Sequence, residues 1–408
     1  MHEPPPSHPR LFALLSTQFF DGFGARFHGV LLAIYALRIS GLSGFAGFTA
    51  VGMLGIVLST GMAGGLTSRL GGRRTMIACA ITVATVRVAC YAFVAFGGGL
   101  LPLMILRLIG ASAGTLMINA SRAQVPEGER AVSSLAWMHV ANALGQAAAT
   151  AVAGWVAMGP TWLIVTLGAP LAAAPTLPML RMARFATTVA LPLKEQWRSF
   201  RAIAPAAGLG ALIQLCTTGL ATLKDGLTVD LYSEHWLGPV AGMGLVGSFL
   251  GATLLRRFVR FTSRPSGDIV VWPVMATLSY VGWALADQGI AWMLFAQLLN
   301  GLAGQVLAAC IEARLLEQGG RAGAVPALTA AGGVAAAAGA IGAIAVPPML
   351  STLGYVGTVA VSLVPLAALG VWGAARLLKR SSALAVVAVA GEPAVAAEPA
   401  LPSDREAA

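Results

Sequence analysis

The chain has 408 residues, of which 57% are hydrophobic and only 10% charged, and its mean hydropathy is +0.79. Soluble domains carry about 25% charged residues, so the composition excludes an ordinary soluble protein and indicates a polytopic α-helical membrane protein. The apolar runs are continuous and do not alternate with period two, which excludes a β-barrel. The net charge of +10 is not a nucleic-acid footprint; it follows from where the few charges sit.

A helix needs about 20 apolar residues to cross a hydrocarbon core of roughly 30 Å. Twelve segments qualify, at 11–37, 45–67, 75–95, 101–120, 131–157, 162–180, 203–232, 237–255, 269–287, 291–311, 325–350 and 356–376. The start, MHEPPPSHPR, is too polar and proline-rich for a signal peptide, so span one is expected to be retained. Lys and Arg outside the spans fall on one side, in loops such as Arg69 to Arg74, Arg181 to Arg201 and Arg256 to Arg264. The opposite connections, FGGGL at 96–100 and MGPT at 158–161, carry none. By the positive-inside rule the basic side is cytoplasmic, with both termini inside.

Several spans carry polar side chains in helical phase. An ionisable group in hydrocarbon costs roughly 2.5–3.5 kcal/mol on insertion scales, so these stripes are expected to face protein or water and to build a polar pathway. In span one the stripe is Gln18, Asp21, His28 and Tyr35. Asp21 lies about ten residues in, near mid-membrane at 1.5 Å per residue. It is either a proton-coupling carboxylate or a structural acid bonded to a neighbouring helix or an internal arginine. His28 can titrate near neutrality or serve as an interhelical hydrogen-bonding group. In span four Arg107 needs a partner, because an unpaired buried charge is costly. Asp21 is the expected one. Arg26 is a rival partner for Asp21, although five residues along a helix puts it about 140° away.

Span five presents His139, Asn142, Gln146 and Thr150, and span seven presents Gln214, Thr217, Thr218, Asp225 and Thr228. Lys224 and Asp225 form an outer gate, by mutual or cross-half pairing, or else snorkel to the interface. Asn300 and Gln305 in span ten add neutral donors and acceptors. Spans five and eleven are rich in Ala and Gly, as suits close helix packing, and Pro347 with Pro348 is expected to kink span eleven. The cysteines, Cys79, Cys90, Cys216 and Cys310, lie inside spans without metal or disulfide spacing and read as small buried hydrophobes.

The two halves repeat weakly. RLIGASAG from Arg107 aligns with QLLNGLAG from Gln297, and AIYAL at 33–37 finds VDLYS at 229–233. Parallel repeats of this kind place substrate sites near the midplane between halves. The connection between spans two and three reads GGLTSRLGGRR from Gly64 to Arg74, and here the chain resembles the major facilitator superfamily. Gly64, Leu66, Arg69, Gly71 and Arg73 match the family's G-x-L-x-D-R-x-G-R-R motif; Ser68 stands where it has an acid. Arg107 matches in part the family's span-four motif R-x-x-x-G-x-G, and VPEGERAVSSL at 125–135 is similar to its loop before span five. Gly145 and Gly154 are present in span five without the proline of the antiporter motif.

The resemblance implies an all-α membrane protein with twelve transmembrane helices in two pseudo-symmetric six-helix halves. The expected divisions are a cytoplasmic start (1–10), a first half (11–184), a central loop (185–202), a second half (203–380) and a disordered tail (381–408). It also implies a charge lock near Gly64 to Arg74, which Ser68 puts in question, a functional role for Arg107, and a peripheral span three, where Arg87 would snorkel or contact a helix.

No phosphate loop, nucleophile elbow or zinc spacing occurs in the sequence, so neither an enzyme nor an ATP-driven pump is expected, and no cofactor or metal. The expected function is secondary active transport of a small organic molecule across a bacterial cytoplasmic membrane, by a monomer and driven by the proton gradient. Efflux is the leading direction. An uptake permease, or a non-transporting receptor or scaffold, are the alternatives.

Overall fold

The structure, a computed structural model, describes residues 8–122, 129–182, 224–261 and 282–389, with some positions between 208 and 280, and it is helical with no strand among the described residues. Helix α1 (His8–Ala95) holds spans one to three, α2 (Leu100–Arg122) span four and α3 (Glu129–Ala157) span five. Span six is α4 (Thr161–Ala173), a 3₁₀ turn over Ala174–Thr176 and α5 (Leu177–Met182). Pro175 lies in that turn, where its missing N–H interrupts the expected 162–180 helix. Span eight is α6 (Leu237–Phe261), and α7 (Ile290–Val389) holds spans ten to twelve.

The apolar stretch Phe12–Thr60 is 49 residues long. As one rod it would reach about 70 Å, more than twice the hydrocarbon core, so it must fold back. It does so at Gly41 (φ 64°, ψ −163°), and α1 breaks again at Gly71 (φ 73°, ψ 157°). Both lie in the left-handed region that glycine alone enters cheaply. In α7 the turn comes at Gly354 (φ 68°), between the expected spans eleven and twelve; the helix runs on through Pro347 and Pro348. Five helices among the described residues are long and apolar enough to cross a membrane.

Large apolar residues face outward along these helices, among them Leu58, Ile81, Ile105, Phe249, Ile341 and Val364. Exposed patches on this scale suit a lipid boundary. Inside, one apolar cluster joins the halves, with Phe27, Phe45, Tyr91 and Leu103 from the first and Leu227, Leu237, Trp283 and Leu366 from the second. A smaller contact between halves consists of Ala50 in span two with Ala340 and Ala343 in span eleven. Hydroxyls in the spans return to the preceding turn, as when Thr49 donates to the Phe45 carbonyl at 2.9 Å and Ser248 to that of Gly244 at 2.9 Å. This satisfies them without water. Cys79, Cys90 and Cys216 are free and buried, as expected of small hydrophobes; Cys310 lies outside the described side chains.

The candidate substrate cavities

Span one approaches span five closely because glycine lies at the contact from both sides. A Cβ on Gly145 would strike the Phe19 carbonyl, and one on Gly22 would come within 2.5 Å of the Asn142 carbonyl. At this crossing Asn142 Nδ2 donates to the Gln18 carbonyl at 3.3 Å, and Gln146 Nε2 donates to Asn142 Oδ1. One turn further on, Thr150 donates to the Gln146 carbonyl at 2.8 Å and receives Arg26 Nε at 3.1 Å. Arg26 Nη2 then donates to Asp225 Oδ2 across the two halves. Gln18, Asn142, Gln146, Thr150, Arg26 and Asp225 thus form one ladder of hydrogen bonds through spans one, five and seven.

Two cavities lie beside it. The larger, about 530 Å³, is lined by Asp21, Arg26, His28, Arg87, Arg107 and Asp225 among others. The smaller, about 280 Å³, lies where spans five, seven, eight and ten meet and is lined by His139, Thr150, Lys224, Ser248, Gln297 and Asn300 among others. Arg26, Asn142 and Gln146 border both. Volumes of about 300–1,000 Å³ are usual for small-molecule sites.

The charge partners differ from those expected. Asp21, 4% exposed, lies close enough to Arg87 for their charges to interact. Arg107 does not take Asp21 as its partner. Its guanidinium carbon sits 5.5 Å from the Phe48 ring centroid, and its Nε is buried without a hydrogen-bond partner among the described residues. The proposed rival also turns elsewhere, because Arg26 reaches across the halves to Asp225. Arg87, 5% exposed, does not snorkel from a peripheral helix. It spans the gap to span six, with Nη1 donating to the Ala172 carbonyl at 2.8 Å, and Gly24 supplies the room beside it.

Of the remaining expected residues, His28 packs edge-on against Tyr91 with centroids 5.7 Å apart, and its Nδ1 has no hydrogen-bond partner among the described residues. Lys224 borders the smaller cavity while its neighbour Asp225 holds Arg26, so cross-half pairing replaces snorkelling for the acid. Gln214, Thr217, Thr218 and the side chain of Gln305 lie outside the described residues, as do the side chains of Gly64, Ser68 and Arg69. In that motif Leu66 packs on the Cys79 and Val83 cluster, Gly71 makes the turn, and Arg73 is exposed.

Arg87 and Gln297 are among the cavity residues not expected there. Arg87 could have been found from its depth, mid-span and too far from either end to snorkel easily. Gln297, 1% exposed with neither side-chain polar atom hydrogen-bonded among the described residues, is the residue that the internal repeat sets opposite Arg107.

Solved structures share this architecture. A bacterial homologue of the iron transporter ferroportin in its outward-facing state superposes with a TM-score of 0.67 at 14% identity, over 91% of this chain and 99% of that one. The major facilitator superfamily transporter FucP in its outward conformation gives 0.64 at 15% identity, over 91% and 99%. The chain has the major facilitator superfamily fold. The human organic anion transporter MFSD10 also shares it, with a TM-score of 0.63 at 16% identity over 91% of this chain and all (100%) of that one. No protein-family model matches the sequence, and no curated relative matches it in sequence. Within the major facilitator fold the ladder and the smaller cavity lie between the halves, where repeat symmetry leads one to look for substrate, while the larger cavity is lined by the first half and closed by Asp225 of the second.

Proposed function

We propose that the protein is a secondary active transporter that moves a small organic molecule through these cavities by alternating access, coupled to protons and working in the direction of efflux. The observation that carries this reading is the pair of polar cavities that meet at Arg26, Asn142 and Gln146, among helices of both halves. A fold built only as a scaffold has no use for buried charges at mid-membrane, which cost several kcal/mol to hold there. Asp21 is the proton-coupling carboxylate in this scheme, and the basic end of the bundle is cytoplasmic. Efflux fits cavities lined by few acids, Asp21 and Asp225.

Uptake is the second reading. It is favoured by one specific observation: similar folds include a proton:xylose symporter and a fucose:proton symporter of Escherichia coli. The test is flux in reconstituted vesicles under an imposed pH gradient, with a panel of radiolabelled small organic acids, sugars and amines. Accumulation against the acidic side's proton flow supports efflux, co-accumulation with protons supports uptake, and no gradient-dependent flux for any compound removes both.

A further inference from the structure

We propose that the larger cavity is built for an organic anion, with Arg107 as the residue that receives its carboxylate or phosphate group. This rests on the transport reading and specifies the substrate class of that site. The cavity wall carries three arginines, Arg26, Arg87 and Arg107, against two aspartates, Asp21 and Asp225. Arg26 is held by Asp225. Arg87 has the Ala172 carbonyl and the charge of Asp21 beside it. Arg107 makes no hydrogen bond or ion pair with any described residue, and its buried Nε has no acceptor. The ring of Phe48 lies against the guanidinium, Arg87 and Arg26 are near enough for their like charges to act on it, and a Cβ on Gly52 would come within 2.8 Å of Nε. Gly52 therefore keeps open the space that Arg107 occupies.

A guanidinium is never deprotonated under ordinary conditions and presents a planar fork matched to an oxyanion. A guanidinium that lines a cavity of about 530 Å³ and meets no acceptor among the described residues is a half-made recognition site. The other half is an acidic group on the substrate, which supplies the acceptors and neutralises the surplus charge. Phe48 accounts for the resting state, because stacking on an aromatic face holds the cation in place without competing for its N–H groups. The rest of the molecule would extend toward Asn142 and Gln146, which border both cavities and offer neutral donors and acceptors. A hydroxylated organic acid matches that sequence of groups.

The test is thermal melting of the purified full chain in nanodiscs with gluconate, lactate, glucose 6-phosphate and inorganic phosphate, set against glucose, glycerol and choline. At least one organic anion should raise the melting temperature by several degrees, and glucose, glycerol and choline should not. Arg107→Gln should weaken the apparent affinity about 30-fold or more, as loss of one partner of a buried charge pair does, while Arg107→Lys should retain part of the response. Because Arg107→Gln removes an unpaired charge, it should fold at least as well as the native chain without ligand. Stabilisation by a neutral or cationic compound alone, no response to any anion, or an undiminished anion response in Arg107→Gln would overturn the assignment. If anions bind through Arg107 but never cross vesicles, the transport reading fails and the site stands. Stabilisation by inorganic phosphate as strong as by any organic anion would overturn the organic class.

Discussion

Asp21 and Asp225 show how environment assigns roles to like residues in one cavity. Asp225 is committed to Arg26 across the halves, so it acts as a tie. Asp21, beside Arg87 in the first half, is the residue to which the proposed transport scheme gives the proton. We expect Asp21→Asn to abolish gradient-driven flux while leaving exchange without a gradient intact, measured in the same vesicles; undiminished driven flux would rule out the proton role. Asp225→Asn and Arg26→Gln should each lower stability by about 3 kcal/mol, the low end of the range for breaking a buried pair, since the Arg26 side chain is 24% exposed. The double variant should recover part of that loss. Additive losses would show that the two residues do not interact. The stripes on spans one and five were legible because phase along a helix is written in the sequence. Charge partnership was not. Arg26, Arg87 and Arg107 are chemically alike, and which acid each meets depends on helix rotation and crossing, set by small residues such as Gly22, Gly24 and Gly145.

At the scale of helices, two kinds of glycine do different work, and substitution separates them. Gly41 has nothing within 4 Å of where a Cβ would stand, and its φ is +64°, so Gly41→Ala should cost about 1–2 kcal/mol from backbone strain alone. Gly145 faces the Phe19 backbone, which cannot move aside. Gly145→Ala should cost at least the roughly 1–3 kcal/mol typical of overpacking and should also break the ladder, so that a cysteine at Asn142 changes its reactivity. Comparable losses by thermal melting, with an unchanged Asn142 site, would mean that spans one and five do not depend on this contact. Span positions were readable from apolar length, and the turns at Gly41, Gly71 and Gly354 fall where the sequence expects connections. The interruption of span six was not foreseen, because a proline near a helix end resembles an ordinary boundary until its neighbours are known.

Across the whole molecule, the halves meet through polar side chains as well as the apolar cluster. At the end away from the basic loops, Arg38 Nη2 bonds Glu234 Oε1 at 2.7 Å and also the Ala157 carbonyl at 2.7 Å, joining spans one and five to the start of span eight. Cysteines at Arg38 and Glu234, joined by a short bifunctional thiol reagent, should stop flux if this end parts during the cycle, and reversing the link should restore it; flux undisturbed by the link would show that the ends stay together. In a background without native cysteines, Asn142→Cys and Gln146→Cys should react with water-soluble thiol reagents. Leu144→Cys, 47% exposed on the opposite face, should resist them, being in lipid. Equal labelling would mean that the ladder only glues helices together. The pairing of Arg26 with Asp225 also bears on how the protein is made. The two residues are 199 apart in sequence, and at roughly 5–20 residues per second the ribosome needs on the order of 10–40 s to supply the second after the first. For that interval the newly inserted first half waits in the membrane with a cation whose counterion has not yet been synthesised, a natural point for quality control to inspect it and for truncated chains to be removed.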